Sequence, residues 1–374
     1  MRYEGDKRVV MTLDAGGTNL VFSAVMGGEE IVERINLSAR GDNLELFLQT
    51  IIDGFEEVQS KLSQKPVAIS FCFPGPAEYE EGIIGDLENL PVFQGGVALG
   101  PMLEDIFQIP VFINNDGDLF AYGEAVAGLL PEVNALLAKS GSPKRYQNLF
   151  GATFGTGFGG GIIHRGELFL GDNSAQGEIN RTRNKILRNC SVEETVSIRG
   201  IRRMYAREAG IKMVNCPSPR VIYEIGMGRR EGDRTAACKA FEEFAIVAGD
   251  AFANAITLID GLIVIGGGLS RAYSLFLQRL VDEMNTQYTT MLGTSLNRLE
   301  LKAFNLENNY ELKQFIKGAT REIMVPFSGR KIKYDPLKRV GVGITRLGTA
   351  NAVAIGAYAF ALNQLDRRNR GAKI

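Results

Sequence analysis

Val10-Met11-Thr12-Leu13-Asp14-Ala15-Gly16-Gly17-Thr18-Asn19 is the stretch from which the rest of the chain is read. An apolar run, Val9 to Leu13, stops at an acid and a glycine pair, and a second apolar run, Leu20 to Val25, follows. This predicts two strands joined by a tight turn. Gly16 and Gly17 let the backbone take positive φ and approach a ligand closely. Backbone N–H groups in such a turn can form a nest for an anion. Thr18 and Asn19 add donors, and Asp14 adds a carboxylate able to hold a metal ion through water. Taken alone, the stretch is equally well read as a plain hairpin with a glycine turn. Three later stretches decide between the two readings.

The chain has 374 residues, enough for two domains. A hydrophobic fraction of 45% with 23% charged residues fits a soluble globular protein. The formal net charge of -1 supplies no basic field for nucleic acid, so none is expected as a partner. Cys72, Cys190, Cys216 and Cys238 stand far apart without a CxxC pair, which reads as reduced thiols in a cytoplasmic protein. The N-terminus has no signal-peptide core and no apolar run is long enough to span a membrane, so no membrane partner is expected. His164 is the only histidine, which argues against a His-based triad or a His-rich metal site.

Residues 8–36 read as three strands of an antiparallel meander. Leu44, Phe47, Leu48, Ile51, Ile52, Phe55 and Val58 then recur at helical spacing. Pro66 to Phe73 is a compact apolar strand that ends at Pro74-Gly75-Pro76, and this order predicts an α/β domain. Pro74-Gly75-Pro76 and Glu88-Asn89-Leu90-Pro91 have loop chemistry, and surface turns account for both. Asn89 is a candidate hydrogen-bond partner for a polar ligand. A helix around Leu103–Phe107 and a strand at Val111 to Ile113 lead into Asn114-Asn115-Asp116-Gly117-Asp118, followed by a helical pattern. Asp116 or Asp118 can simply cap that helix. Two carboxamides and two acids in five residues exceed what capping needs, and ligands of open α/β sheets usually lie at the carboxyl ends of strands. The spacing does not fit a calcium loop.

Pro131 to Asn148 reads as a helical excursion and surface loop at a domain junction. Leu149 to Phe154 is a strand, and Gly155-Thr156-Gly157-Phe158-Gly159-Gly160-Gly161 follows. A GxGxxG dinucleotide motif would need a helix to open there. Ile162 to Leu170 instead predicts a hairpin with its turn at Arg165-Gly166. The pattern therefore repeats the opening one, and two glycine–threonine hairpins in two halves imply two related domains gripping one polyphosphate. Neither carries the lysine of a P-loop. Asn173 to Arg183 is polar and holds Gly177-Glu178, and Ser191 to Met204 reads as a helix with Glu193 in its first turn, where the helix dipole favours an acid. Phe241 to Ile259 predicts a long small-residue helix. Gly261 to Ile265 is a buried-type strand, and Gly266-Gly267-Gly268 leads into a helix from Ser270 with bare backbone on which a flat ring can lie. Residues 294–340 are irregular, Gly348 to Leu362 is an Ala- and Gly-rich helix, and Asp366 to Lys373 reads as a frayed charged tail.

In their order and spacing these stretches resemble the ROK family of sugar kinases, within the actin, hexokinase and Hsp70 superfamily. The residues that carry the resemblance are Asp14 to Thr18, Pro74-Gly75-Pro76, Asn115-Asp116, Gly155 to Gly161, Gly177-Glu178 and Gly266-Gly267-Gly268. It implies an α/β fold of two actin-like, ribonuclease H-like domains with a cleft between them. The domains would be residues 1–125, with a final helix at about 347–362 packed back on them, and residues 126–346. It implies an enzyme that transfers the γ-phosphoryl group of ATP to a hydroxyl, the 6-OH, of a hexose or N-acetylhexosamine, with domain closure excluding water. Asp14, Gly16, Gly17, Thr18 and Asn19, with Gly155, Thr156 and Gly157, would hold the ATP phosphates, and Gly266, Gly267 and Gly268 would lie near adenosine. Asp116 would be the catalytic base. Gly75, Asn89, Asn115, Glu178 and Glu193 would bind the sugar. Mg2+ would be positioned partly by Asp14, through water. A small-molecule sugar is the implied partner, and a homo-oligomer, a dimer, the implied assembly.

Two departures from the family pattern stand out. The family writes Gly-Glu-x-Gly-His where this chain has Gly177-Glu178-Ile179-Asn180-Arg181. Arg181, at the histidine position, can pair with Glu178 or Glu193, reach an anionic or N-acyl group on the substrate, or simply face solvent. The family's zinc-binding cysteine run is replaced by Arg188-Asn189-Cys190-Ser191-Val192-Glu193, and one cysteine cannot supply a tetrahedral site. Of the rival readings, a ROK-type repressor would need an N-terminal helix-turn-helix, for which a hairpin at Asp14 leaves no room. A non-catalytic sugar-binding regulator is disfavoured by Asp14, Thr156 and Asp116, and stays open at Arg181 and the missing cysteines. An ATPase that drives a partner is disfavoured by the Asn115-Asp116 pair, which suits a sugar acceptor. The chain is expected to hold no zinc. Elemental analysis of protein purified without added metal should find none in stoichiometric amount, and stoichiometric zinc would overturn this expectation.

Overall fold

The computed structural model describes residues 3–15, 19–39, 41–75, 77–85, 87 and 91–371. Gly16, Gly17, Thr18, Pro76 and Asn89 lie outside the described residues. The chain divides into two compact units. Unit 1 is Met1–Gly128, Glu167–Gln176 and Leu347–Ile374, and unit 2 is Leu129–Gly166 and Gly177–Arg346.

Unit 1 opens with β1 (Val9–Ala15), antiparallel to β2 (Asn19–Met26). The third strand of the expected meander is split. β3 (Glu29–Glu30) and β4 (Ile35–Ser38) both pair with β2. The break falls where Val32 turns inward and its carbonyl accepts from Ser23 Oγ at 3.2 Å, a bond that replaces the ladder. α1 (Leu44–Ser60) begins where Asn43 Oδ1 accepts from the Leu46 N–H at 3.0 Å, a side-chain N-cap. Its buried face presents Phe47, Ile51, Phe55 and Val58. Each such side chain contributes about 1.5–3 kcal/mol on burial. Phe55 meets Phe22 of β2 edge-on at 5.2 Å, and a Cβ at Gly54 would strike that Phe22 ring. β5 (Ala68–Cys72) runs parallel to β1, and the small ribbon of β6 (Ala77–Glu78) and β7 (Ile83–Ile84) follows. α2 (Leu99–Phe107) leads to β8 (Val111–Asn114), parallel to β5, and α3 (Asp116–Val126) starts at its carboxyl end. The strand order is β3-β2-β1-β5-β8.

Unit 2 begins with α4 (Leu129–Lys139) and the antiparallel pair β9 (Leu149–Phe154) and β10 (Phe158–His164). Arg165 and Gly166 both take positive φ in the turn after β10. The short strand β11 (Glu167–Leu168) lies in the middle segment of unit 1. Ser191 to Met204 is not one helix. Val192–Glu194 is a 3-10 turn, and α5 (Ile198–Glu208) starts afresh at Ser197, whose Oγ accepts from the Gly200 N–H and donates to the Glu193 carbonyl. α6 (Pro219–Gly226) precedes α7 (Arg234–Ile259), which starts before Phe241 because Asp233 caps it. β12 (Leu262–Gly266) runs parallel to β9. α8 (Tyr273–Met284) begins three residues beyond the expected Ser270, because the Ser270 N–H and Oγ both bond the Gly267 carbonyl and hold a 3-10 turn at Gly268–Ala272.

The irregular stretch 294–340 is ordered. β13 (Gln287–Thr289) and β14 (Ser295–Asn297) form an exposed ribbon, and β15 (Lys302–Asn305) and α9 (Asn309–Lys317) follow. β16 (Arg321–Met324) and β17 (Lys331–Tyr334) form a second ribbon ahead of β18 (Arg339–Ile344). β18 pairs parallel with both β12 and β15. Its glycines disguise a central strand. A Cβ at Gly341 would strike Leu306, and one at Gly343 would press on Leu129. The core of this unit centres on Phe154, which meets Phe158, Phe244 and Phe276 edge-on at 5.2, 5.1 and 5.9 Å.

α10 (Thr349–Gly371) belongs to unit 1. The charged tail expected to fray is helical to Gly371. Asp366 is ion-paired with Arg8 at 2.7 Å, and the Arg368 guanidinium lies over the Phe112 ring at 5.2 Å. Among the described residues no helix is long and apolar enough to cross a membrane. α10 crosses α3 backbone to backbone. A Cβ on Gly123 would come within 1.9 Å of the Ala352 carbonyl oxygen, and one on Gly356 within 2.0 Å of the Leu119 carbonyl oxygen. Gly356→Val should therefore lower the unfolding free energy by about 3 kcal/mol through overpacking. A urea titration that leaves the midpoint within error of the parent would show that the crossing is not close-packed.

Candidate active site

In unit 1 the carboxyl ends of three strands lie side by side. Asp14 of β1 is opposite Cys72 of β5, and Cys72 is opposite Asn114 of β8. Burial pushes the Cys72 thiol pKa up, and the charges of Asp116 and then Asp14 push it further. Both carboxylates therefore face the same strand end. Asn115 is the N-cap of α3, and its Oδ1 accepts from the Gly117 N–H at 2.8 Å. The exposed Asp116 accepts from the same N–H through Oδ1 at 2.8 Å. Asn115 is thus the cap, and the exposed Asp116 shares its Gly117 N–H at the strand end.

Tyr79 and Gln176 were not singled out in the sequence. Asn115 Nδ2 donates to the Tyr79 hydroxyl at 3.4 Å, and that hydroxyl donates to the Phe73 carbonyl at 2.8 Å. A Cβ at Gly75 would lie 3.1 Å from the same oxygen, so Gly75 and Asn115 converge on Tyr79. Burial is the main cause of the raised Tyr79 pKa, so the phenol stays a donor. Asp118 is 1% exposed, and its Oδ2 accepts from Gln176 Nε2 at 2.7 Å, which ties the segment Glu167–Gln176 to the first turn of α3. The local clue was the surplus of acids after β8; nothing marked Gln176 or Tyr79. Asn19 is exposed at the start of β2, opposite Ser38.

In unit 2 the turn Gly155-Thr156-Gly157 joins β9 to β10, with Thr156 exposed. Glu193 packs directly onto it. Its Oε2 accepts from the Phe158 N–H at 3.1 Å, and a Cβ at Gly157 would come within 2.6 Å of the same oxygen. Gly155 in turn accepts from the Ile198 N–H at 2.9 Å. Gly266 is opposite Thr153 across the β12–β9 pair. Gly267 has φ +82°, and a Cβ there would strike the Phe154 carbonyl. The glycine triplet and the Gly-Thr-Gly turn are thus neighbours, while Gly268 has open space beside it. Gly177 has φ +73° and packs on the backbone of Gly160 in β10. Glu178 and Arg181 are both exposed. Among the described residues no ion pair joins Arg181 to Glu178 or Glu193, so the pairing considered from the sequence is not formed.

Where the family pattern would place zinc ligands, the loop is closed by an asparagine. Asn184, 1% exposed, accepts through Oδ1 from the Ile186 and Leu187 N–H groups at 2.9 Å each. Its Nδ2 donates to the Ser191 carbonyl at 3.2 Å and to Thr195 Oγ1 at 2.8 Å. Arg183 and Ser191 form an antiparallel bridge across the loop, and Lys185 is ion-paired with the buried Glu283. All four cysteines are free thiols. Among the described residues no three His, Cys, Asp or Glu side chains gather as a metal site requires.

Residues 10–309 match the sequence profile described as the ROK family. A crystal structure of a glucokinase from Parabacteroides distasonis shares 52% identity and a TM-score of 0.90, covering 97% of this chain and 99% of that one. An N-acetyl-D-glucosamine kinase of Vibrio parahaemolyticus is 28% identical over 275 residues, 69% of this chain and 83% of that protein. A ROK family glucokinase from Streptomyces griseus, solved with glucose and AMPPNP, has a TM-score of 0.58 at 18% identity, covers 94% of this chain and 98% of its own, and shares the fold. With four-fifths of its length matched by the profile and half its residues identical to a solved relative, the chain belongs to the ROK family.

Proposed function

We infer that this chain is an ATP-dependent sugar kinase that transfers the γ-phosphoryl group to a hydroxyl, the 6-OH, of a hexose or N-acetylhexosamine. The observation that carries the reading is the exposed Asp116 carboxylate at the end of β8, beside the capping Asn115. A sugar hydroxyl is a weak nucleophile at neutral pH. Asp116 orients it and accepts its proton as the new O–P bond forms, a general-base role worth roughly 10²–10⁴-fold. Asn115, Gly75, Asn89, Glu178 and Glu193 hold the remaining hydroxyls. The Glu193 Oε2 is engaged by the Phe158 N–H, so its Oε1 is the oxygen offered to a sugar. The backbone of Gly155, Thr156 and Gly157, with that of Gly16 and Gly17, carries the phosphates, and the triplet Gly266-Gly267-Gly268 underlies the adenosine.

Mg2+ prefers oxygen ligands. Asp14, exposed at the end of β1 and sharing Cys72 as a neighbour with Asp116, fits that demand and would hold the ion, partly through water. When bound, Mg2+ offsets charge on the phosphates. Free thiols at all four cysteines suit a cytoplasmic enzyme, and a homodimer is the assembly we propose. The loop around Asn184 serves as a hydrogen-bonded brace behind the 3-10 turn that carries Glu193.

Asp116→Asn should lower kcat by roughly 10²–10⁴-fold in a coupled ADP-release assay while ATP binding is unchanged. Near-normal turnover would remove Asp116 from the base role. The assay is run over a panel of hexoses, ketohexoses and N-acetylhexosamines, beginning with glucose and N-acetylglucosamine.

Arg181 stands exposed near Glu178 in sequence, with its guanidinium unpaired among the described residues. We assign it to the substrate, where it reaches an N-acyl oxygen or an anionic group. Arg181→Ala should reduce kcat/KM for the true sugar about ten- to a hundredfold and leave the KM for ATP in place. Equal sugar kinetics in mutant and parent at saturating ATP would make it a surface residue.

A further inference from the structure

The side-chain amide of Asn115 is held at both of its ends. At one end Oδ1 accepts from the Gly117 N–H at 2.8 Å. A backbone N–H can only donate, so the amide oxygen must be the atom that faces it. At the other end Nδ2 donates to the Tyr79 hydroxyl at 3.4 Å. That hydroxyl gives its own proton to the Phe73 carbonyl at 2.8 Å. A carbonyl can only accept, so the hydroxyl proton does not turn toward Asn115. Burial raises the Tyr79 pKa, so the phenol keeps this proton. Donation therefore runs one way, from Asn115 through Tyr79 to Phe73.

Tyr79 is itself held in place. Its side chain belongs to the core of unit 1, and its N–H donates to Ser174 Oγ at 3.1 Å. The Phe73 N–H donates to the Asn114 carbonyl at 2.9 Å, which fixes the last acceptor to the strand end that precedes Asn115. Asn115 is half-buried, and among the described residues its second Nδ2 hydrogen has no partner. An amide free to turn would present oxygen or nitrogen equally; this one keeps a spare N–H. We propose that Tyr79 is a positioning residue for the substrate, whose hydroxyl holds the Asn115 amide so that the spare N–H is offered to a sugar hydroxyl oxygen. The proposal rests on the reading of Asn115 as a sugar ligand, and Tyr79 acts through Asn115 without touching the sugar. A hydroxyl that accepts from Nδ2 keeps its own proton to donate to a carboxylate.

A double-mutant cycle on sugar binding tests this. The Kd for glucose, or for N-acetylglucosamine where the kinetic panel favours it, is measured by calorimetry without ATP. The proteins are the unaltered chain, Tyr79→Phe, Asn115→Ser and the double variant. Phenylalanine keeps the buried ring, and serine keeps an N-cap for α3 but has no amide to orient. Tyr79→Phe should weaken sugar binding roughly three- to tenfold, the loss of about one hydrogen bond. In the Asn115→Ser background the same change should have no further effect. Equal weakening in both backgrounds would make Tyr79 a structural prop and overturn the proposal. If Asn115→Ser weakens binding and Tyr79→Phe does not, the proposal falls and Asn115 stays a sugar ligand. Unchanged binding in Asn115→Ser would overturn both. If Tyr79→Phe does not fold, Ser174→Ala, which releases the Tyr79 backbone, takes its place in the cycle with the same expected coupling and the same overturning results.

Discussion

Backbone contact between α3 and α10 is the constraint on which unit 1 depends. Gly123 and Gly356 sit at the crossing, and neither position has room for a Cβ. Helices whose side chains kept them apart would place the start of α3 elsewhere. That start carries the cap Asn115, the exposed Asp116 and the buried Asp118. The far end of α3 is held as firmly. Glu124, fully buried, accepts from the Leu347 N–H at 3.2 Å just before α10 begins. A helix fixed at its middle and at its end presents its N-terminus, with Asn115 and Asp116, in one orientation.

Unit 2 uses glycine in the same way. Gly157 leaves space for the Glu193 carboxylate, Gly160 and Gly177 let two backbones meet, and Gly267 lies against the carbonyl of Phe154. Of these, only Gly177 and Gly267 take positive φ. The glycine-rich run after β9 therefore serves packing. The exposed turn at Thr156 is held in place by the Glu193 carboxylate through its Oε2. The 3-10 turn that carries Glu193 is itself anchored by Ser197, which bonds the Glu193 carbonyl and caps α5.

The loop from Thr182 to Ser191 is held by side-chain hydrogen bonds. Asn184 uses both its oxygen and its nitrogen, and every partner is backbone or the Thr195 hydroxyl. A buried, fully engaged amide fixes local chain direction without thiolates. The Lys185–Glu283 pair ties the same loop to α8.

Local pattern in the sequence was enough for the hairpins at Asp14 and Gly155, for strands within Pro66 to Phe73 and at Val111 to Ile113, which form at Ala68–Cys72 and Val111–Asn114, and for the helix that follows. Each is a short-range choice between period 2, period 3.6 and glycine. The order of those motifs was also enough for the family, because order is carried by the chain itself. Local pattern failed where long-range contacts decide. β18 begins at the close of the stretch 294–340 that reads as irregular, yet it is paired on both sides, and Leu306 and Leu129 fill the space that side chains at Gly341 and Gly343 would take. Asp366 to Gly371 reads as a frayed tail, yet it is helical because Arg8 and Phe112 lie beside it. Tyr79 and Gln176 carry no local mark, since their partners stand 36 and 58 residues away in the sequence. The residue types and their order were determined by the sequence alone. Which of them share a hydrogen bond, and which glycines are there for packing, was decided by tertiary contact, because a hydrogen bond depends on distance in space and spacing along the chain does not encode it.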